Sequence, residues 1–108
     1  MCLNAFYEMM NDKAKELEMT NSNFAVAHGM HHDWNYSSAH DIGKACCYAM
    51  ENDMFRDIVN QQQREVRSSK YLGHVYKWEN TNVLLKEGFD GIKTGITPTA
   101  GPCLAASI

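Results

Sequence analysis

The chain has 108 residues, of which 44% are hydrophobic and 21% charged, and its 10 Lys and Arg against 13 Asp and Glu give a formal net charge of −3. This length predicts one globular domain or less, and no run approaches the roughly 20 apolar residues of a membrane span. Residues 1–4 carry neither a basic segment nor an apolar core, so we expect no signal peptide within these residues. The basic residues are scattered, which argues against nucleic acid as a partner.

The cysteines have neither the density nor the spacing of a secreted disulfide scaffold; they are Cys2, Cys46, Cys47 and Cys103. We expect them to be reduced and to act as small buried hydrophobic side chains. Cys46 and Cys47 are adjacent in a helical pattern, so their side chains diverge by about 100° and neither a shared disulfide nor a shared metal is expected.

Apolar residues at helical spacing predict a first helix from about Leu3 to Glu18, and turn-forming residues then predict a long structured loop. Residues 38–41 read as a capping box in which the Asp41 carboxylate returns a hydrogen bond, so Asp41 is interpreted as a helix cap rather than an acid catalyst. The second helix is expected from about Ser38 to Glu51.

A short third helix is expected after Asp53, which can cap it. One side of this helix is apolar and carries Phe55, Ile58 and Val59. We interpret the following run, residues 61–64, as a solvated helix end.

From Arg64 the helical period gives way to alternation and to the aromatic and β-branched bias of strands. We expect a hairpin here, with a turn near Ser68 and Ser69. The residues that carry this bias are Val66, Tyr71, Val75 and the stretch 76–78.

A turn at residues 80–82 and a short apolar segment at 83–85 precede two further expected strands, at 91–97 and 103–108. The second strand has no closing turn or helix, so we expect a fragment of a larger fold. The predicted class is α+β, with a helical part in residues 1–62 followed by antiparallel strands in residues 63–108.

The most specific signal is the Lys-Thr-Gly motif formed by Lys93, Thr94 and Gly95. A phosphate-binding P-loop also ends in Gly-Lys-Thr, but Ile92 separates Gly91 from Lys93 and the upstream glycine spacing is absent. The other use of this motif is in penicillin-recognising serine enzymes. The same three residues can also occur by chance where a strand carries an ordinary surface lysine. The flanking segments therefore decide between the two interpretations.

Several ordered segments resemble one family, the D-alanyl-D-alanine carboxypeptidases of the low-molecular-mass penicillin-binding type, serine peptidase family S11. They are the Lys-Glu-Leu and Met-Thr-Asn of 15–21, Phe24, the His-Gly-Met of 28–30, the Tyr-Ser-Ser-Ala-His-Asp of 36–41, the Asn-Thr-Asn-x-Leu-Leu of 80–85 and the Lys-Thr-Gly segment 90–101. The resemblance runs from end to end of the chain, and it implies part of a β-lactamase/transpeptidase-like fold.

The resemblance also implies roles for four residues on the Lys-Thr-Gly strand. Lys93 would supply positive charge beside the nucleophile and the substrate carboxylate, and Thr94 would donate its hydroxyl to the carboxylate of a terminal D-alanine. Gly95 would let the strand approach the peptide closely, and the backbone N–H of Ile96 would be one of two oxyanion donors. The substrate would dock as an added strand and form an acyl-enzyme.

The family's nucleophile and base, Ser-x-x-Lys, are missing from these residues, because no serine has a lysine three positions later. Ser-x-Asn is missing too, since Ser22 is followed by Asn23 and Phe24. In the family both motifs precede the stretch that this chain resembles. The chain alone is therefore expected to hold a carboxylate without forming an acyl-enzyme, which leaves its standing as an enzyme open.

Two functions from different classes follow. The first is a portion of a serine-type D-alanyl-D-alanine carboxypeptidase that cleaves the terminal D-Ala of peptidoglycan stem peptides, and the alternative is a non-catalytic relative that serves as a structural or binding subunit.

We expect no cofactor and no metal. The expected partners are a peptidoglycan peptide or a β-lactam once the missing part is supplied, and another chain or a second copy at the edge strand. Family members act in the bacterial envelope, but the compartment of this chain stays open.

Two weaker groups complete the candidates. The loop residues His28, His31, His32 and Asp33 could be drawn as a metal site, but zinc sites usually need four well-spaced ligands, so a polar loop is the preferred interpretation. The aromatic residues Trp34, Tyr36 and Trp78 are expected to seal the seam between helices and sheet rather than to bind a ligand.

Overall fold

The computed structural model describes residues 2–70 and 73–108. Helices come first and antiparallel strands follow, which confirms the predicted α+β class. The elements are α1 Leu3–Glu16, α2 Ala39–Met50, α3 Asp53–Val59, β1 Gln63–Arg67, β2 Val75–Glu79, a 3-10 helix at Val83–Glu87, β3 Asp90–Thr97 and β4 Gly101–Ser107. Within the described ranges, no helix is both long and apolar enough to cross a membrane.

The first two helices form where the sequence predicts them, with small differences at their ends. Helix α1 stops at Glu16 because Glu18 adopts a left-handed backbone with φ of 56°, and the Met19 N–H then donates to the Ala14 carbonyl at 2.8 Å. Helix α2 begins after Ser38, whose Oγ accepts from the Asp41 N–H at 3.2 Å. This half of the predicted capping box is confirmed.

Two predictions around the third helix are wrong by short distances. The cap of α3 is Asn52 and not Asp53, because the Asn52 Oδ1 accepts from the Phe55 N–H at 3.0 Å while Asp53 is already helical. Gln63 and Arg64 do not end a helix; they open β1 and pair with Glu79 and Trp78 across the hairpin. Cross-strand pairing, which local polarity does not reveal, decides the conformation there.

The strands pair as two separate antiparallel hairpins, β1 with β2 and β3 with β4. The predicted hairpin after Arg64 is confirmed, and the Ser68 N–H closes its loop by donating to the His74 carbonyl at 2.9 Å. Tyr71, which was also predicted to be in a strand, lies outside the described residues. In the second hairpin, Lys93 lies opposite Ala105 and Thr94 opposite Leu104.

Very little apolar surface is closed off within the described ranges. Ala14 and Met19 are the only buried hydrophobic residues there. The Cα radius of gyration is 16.0 Å, whereas a compact domain of this length is expected near about 13 Å. These residues therefore build an open scaffold whose apolar faces still need a covering layer.

The open packing overturns two expectations about side-chain burial. Cys2, Cys47 and Cys103 are exposed and Cys46 is only half-buried, so the cysteines are free thiols but not core residues. The aromatic side chains that were expected to seal the helix-to-sheet seam are exposed by 54–69%: Trp34, Tyr36 and Trp78. The physical reason is that β1 and β2 pack mainly on each other, so the described residues form no closed seam there.

Asp41 is fully buried, with 0% exposure, and its carboxylate does not return to the start of its own helix. Its Oδ2 accepts from the Asn21 N–H and from the Ser22 hydroxyl, each at 2.7 Å. Burial alone raises the pKa of this carboxyl, but the hydrogen bonds from Ser22 and Asn21 oppose burial, and the pKa is lowered below its ordinary value of 3.8. The predicted return bond is therefore wrong, and Asp41 ties the loop after α1 to α2.

We expect acid to weaken this tie. A carboxyl whose folded pKa is lowered stabilises the fold above its unfolded pKa, and the contribution is lost as pH falls through the lower folded value. Hydrogen-exchange protection of the Asn21 N–H should therefore fall roughly tenfold once the pH is below this lowered pKa, since a neutral carboxyl is the weaker acceptor. The matched control is the Met19 N–H, whose acceptor is the Ala14 carbonyl and does not titrate. Protection of the two amides that stays parallel until acid unfolds the chain would contradict the assignment.

Candidate substrate-binding edge

The start of β3 is held from two sides by asparagine side chains. Asn60, just after α3, accepts from the Gly91 N–H at 2.5 Å through its Oδ1 and donates to Asp90 Oδ1 at 2.7 Å through its Nδ2. Asn82 is 6% exposed, and its Nδ2 donates to the Gly91 carbonyl at 3.1 Å. A buried amide whose hydrogen bonds are satisfied fixes where the strand begins, and therefore where Lys93 and Thr94 lie.

Gly91 also packs against the end of α3. A Cβ built at this position would lie 2.5 Å from Cγ2 and 2.6 Å from Cβ of Val59. Only a glycine allows this close approach of strand and helix. The approach anchors β3 to the helical part of the chain.

One edge of β3 is open. Among residues 2–70 and 73–108, β3 pairs only with β4. Ile96 lies opposite Pro102, which has no N–H, so this pair cannot be one of those that exchange two hydrogen bonds. Strict alternation in an antiparallel pair then directs the backbone N–H and C=O groups of Ile96 and Thr94 away from β4 and toward the open edge.

The four residues singled out in the sequence lie along this edge. Lys93 is exposed, and its Nζ donates to the carbonyl oxygen of Thr94, which agrees with that carbonyl facing away from β4. Thr94 is half-buried, whereas Gly95 and Ile96 are exposed, Ile96 by 78%. The strand therefore presents an ammonium group, a hydroxyl and outward amides within a few residues of one another.

No acidic side chain neutralises this ammonium group within the described ranges, since none of their ion pairs includes Lys93. A cation without an acidic partner beside a hydroxyl donor and outward backbone N–H groups is a suitable site for a carboxylate. The edge therefore combines outward backbone groups with a cation and a hydroxyl, the arrangement that strand addition of an extended peptide with an anionic end group would need.

Packing within the described residues does not require a glycine at position 95. A Cβ built there would have Lys93 Nζ, at 4.0 Å, as its one neighbour, and its φ is not in the left-handed region. Gly91 differs, because its own chain fills the space that a side chain would need. The missing side chain of Gly95 therefore leaves this part of the exposed face of β3 clear.

The structure adds one residue that the sequence reasoning treated only as part of a turn. The hydroxyl of Thr81 lies 3.0 Å from the hydroxyl of Thr94. The Asn-Thr-Asn turn was recognised from its composition, but nothing in a turn signal indicates which distant strand its central side chain meets.

The histidine-rich loop does not assemble a metal site. His31 Nε2 lies 3.2 Å from Asp33 Oδ1, while the Nδ1 atoms of His28 and His32 accept hydrogen bonds from backbone N–H groups two residues later. In the described part of the chain, no three His, Cys, Asp or Glu side chains come close enough together to bind a metal.

Comparison with known proteins identifies the family. The family profile described as D-alanyl-D-alanine carboxypeptidase matches residues 2–108. The D-alanyl-D-alanine carboxypeptidase of Streptomyces sp. strain K15 is 32% identical over 105 residues, covering 93% of this chain and 36% of the relative. The carboxypeptidase DacF of Bacillus subtilis strain 168 is 35% identical over 108 residues, covering 94% of this chain and 26% of the relative.

Solved structures agree with these relatives. The crystal structure of the Streptomyces K15 DD-transpeptidase has a TM-score of 0.86 at 32% identity, covering 95% of this chain and 41% of that one. Penicillin-binding protein D2 of Listeria monocytogenes, in its cefotaxime-bound form, has a TM-score of 0.73 at 29% identity, covering 94% and 41%. The chain thus spans well under half of each of these proteins. It belongs to the D-alanyl-D-alanine carboxypeptidase family, and it is a portion of that family's domain.

Proposed function

We propose that this chain supplies the substrate-carboxylate site of a serine-type D-alanyl-D-alanine carboxypeptidase that removes the terminal D-Ala from peptidoglycan stem peptides. The observation that carries the proposal is the open edge of β3, where Lys93 has no acidic partner among the described residues and Thr94 and Ile96 direct backbone groups outward. The names of its relatives support the reaction class. They are enzymes, so the alternative of a non-catalytic subunit is not favoured.

In the proposed mechanism, the substrate peptide adds to the open edge of β3 as a further strand. Lys93 and Thr94 bind the terminal carboxylate, and the Ile96 N–H donates to the carbonyl oxygen of the scissile bond. A serine from outside these 108 residues forms an ester with that carbonyl carbon while the C–N bond breaks and the departing D-Ala takes up a proton. Water then hydrolyses the ester and regenerates the serine.

A β-lactam is the second proposed ligand of the same edge. The Listeria relative was crystallised with cefotaxime bound. A β-lactam presents a carboxylate and a reactive amide carbonyl to the serine, so the groups proposed for the peptide would bind it in the same way.

The test uses a domain in which the segments that this chain lacks are supplied by a relative. We define the completed domain as this 108-residue chain joined to the segments of the Streptomyces K15 enzyme that flank the matched stretch. Incubation with excess penicillin should add one acyl group, seen by intact mass, and D-Ala should be released from an acetylated peptide ending in D-Ala-D-Ala. The 108-residue chain alone should form no adduct. A completed domain that melts cooperatively but forms no adduct, or an adduct on the chain alone, would overturn the proposal.

We further propose that the chain alone associates through the open edge of β3, with itself or with another chain. Unpaired N–H and C=O groups on an exposed strand, together with the open apolar faces of α1 and α2, favour strand addition. Size-exclusion chromatography with light scattering should therefore give a mass above the 12.3 kDa of one chain. A compact monomer with a sharp cooperative melt would show that these residues close their own core.

A further inference from the structure

We propose that Thr81 is a positioning residue for carboxylate recognition, which it serves by orienting the hydroxyl of Thr94. The inference rests on the proposed function and assigns a role to a side chain in the turn before β3. The observation that supports it is the 3.0 Å separation between the two threonine hydroxyl oxygens.

The two neighbours of Thr81 hold its backbone in place. The Asn80 side chain donates to the Gln61 carbonyl at 3.1 Å and accepts from the Asn82 N–H at 2.9 Å. The Asn82 side chain reaches Gly91 at the start of β3. Both asparagine side chains are thus used within the fold, and the turn holds the Thr81 hydroxyl beside β3.

The hydrogen-bonding capacity of a hydroxyl explains what this contact does. A hydroxyl has one proton to donate and two lone pairs that accept. When Thr94 donates its single proton to a carboxylate, its own oxygen can accept the proton of Thr81. The resulting series of hydrogen bonds runs from Thr81 through Thr94 to the carboxylate. Each hydrogen bond polarises the next, which strengthens the donor that faces the ligand.

Without the Thr81 hydroxyl, Thr94 keeps its side chain but loses the donor that directs its proton outward. In the completed domain, Thr81→Val keeps the shape of the side chain and removes the hydroxyl. We expect kcat/KM for release of D-Ala to fall about 3- to 10-fold, mainly through a higher KM, which is the scale of one net hydrogen bond. Thr81→Ser should restore it, because serine keeps the hydroxyl.

Two readouts separate this role from a purely structural one. Cleavage of the same peptide carrying a C-terminal amide should be unaffected by Thr81→Val, because that substrate has no carboxylate to orient. In a Thr94→Val background, Thr81→Val should cause no further loss, because its partner is gone. The matched control is Thr99→Val, which breaks a similar hydroxyl pair, Thr97 with Thr99 at 3.3 Å, in the β3–β4 turn.

The outcomes are distinguishable. If the unsubstituted completed domain folds but neither forms an acyl adduct nor releases D-Ala, the proposed function fails. If it is active and Thr81→Val matches it, or loses equally on the carboxylate and amide substrates, the role of Thr81 fails. If Thr81→Val does not melt cooperatively, the comparison of Thr81→Ser with Thr81→Ala decides: equal KM values for these two variants overturn the role, and a higher KM for Ala supports it.

Discussion

Replacing Lys93 with alanine in the completed domain is expected to slow acylation by penicillin about 30- to 900-fold. This corresponds to a loss of about 2–4 kcal/mol of transition-state stabilisation, the scale of removing one preorganised electrostatic donor. The structural reason is that Lys93 pairs with no carboxylate in the described residues and lies on the open edge of β3, so its charge is available to the ligand. Stopped-flow acylation kinetics measure the effect.

The control for this experiment is Lys86→Ala, which removes another exposed lysine, one in the 3-10 helix and not in β3. Its acylation rate should match that of the unsubstituted completed domain. Lys93→Arg keeps the charge but changes its shape and hydration, so we expect an intermediate rate. An unchanged acylation rate in Lys93→Ala would refute the role assigned to Lys93.

Replacing Gly91 with alanine is expected to lower the free energy of unfolding of the completed domain by about 1–3 kcal/mol, the usual cost of overpacking. The new Cβ would lie 2.6 Å from the Val59 Cβ and 2.9 Å from the Val59 carbonyl oxygen, and neither atom belongs to a flexible side-chain end. Relief needs a shift of β3 away from α3, which also strains the hydrogen bonds from Gly91 to Asn60 and Asn82. Urea unfolding followed by circular dichroism measures the change.

Gly95→Ala is the matched glycine control, since its Cβ would meet nothing nearer than 4.0 Å in the described structure. We expect its unfolding free energy to stay within about 0.5 kcal/mol of the unsubstituted value. Its acylation rate should nevertheless fall, because a side chain there would stand where the proposed ligand approaches. Equal stability losses in the two variants would contradict the packing argument for Gly91.

The sequence predicted the helices and strands well because each depends on residues close together in the chain. The apolar spacing of α1, the Ser38 cap of α2 and the strand character of β3 are local signals, and the structure has all of them. Two local predictions were wrong because another interaction was stronger. Asn52 caps α3 in place of Asp53, and Arg64 pairs in β1 instead of ending a helix.

Contacts between distant residues were beyond such reasoning. The Asp41 carboxylate bonds to Asn21, 20 residues earlier, and the Thr81 hydroxyl meets a hydroxyl 13 residues later. Side-chain exposure could not be predicted either: Trp34 is 69% exposed, although tryptophan side chains are highly buried on average. Whether a side chain is covered depends on which elements pack over it, and local spacing carries no information on that.

The α+β class, the order of the elements and the Lys-Thr-Gly motif at residues 93–95 could all be predicted from the sequence, because periodicity and short motifs depend on residues that are neighbours in the chain. Three features follow from the tertiary structure instead: one edge of β3 is open in the described chain, Gly91 packs against Val59 whereas a Cβ at Gly95 would meet only Lys93 Nζ at 4.0 Å, and Thr81 lies beside Thr94. The physical reason is that these features arise from the folding of separate segments against one another, which brings atoms together that no local pattern connects.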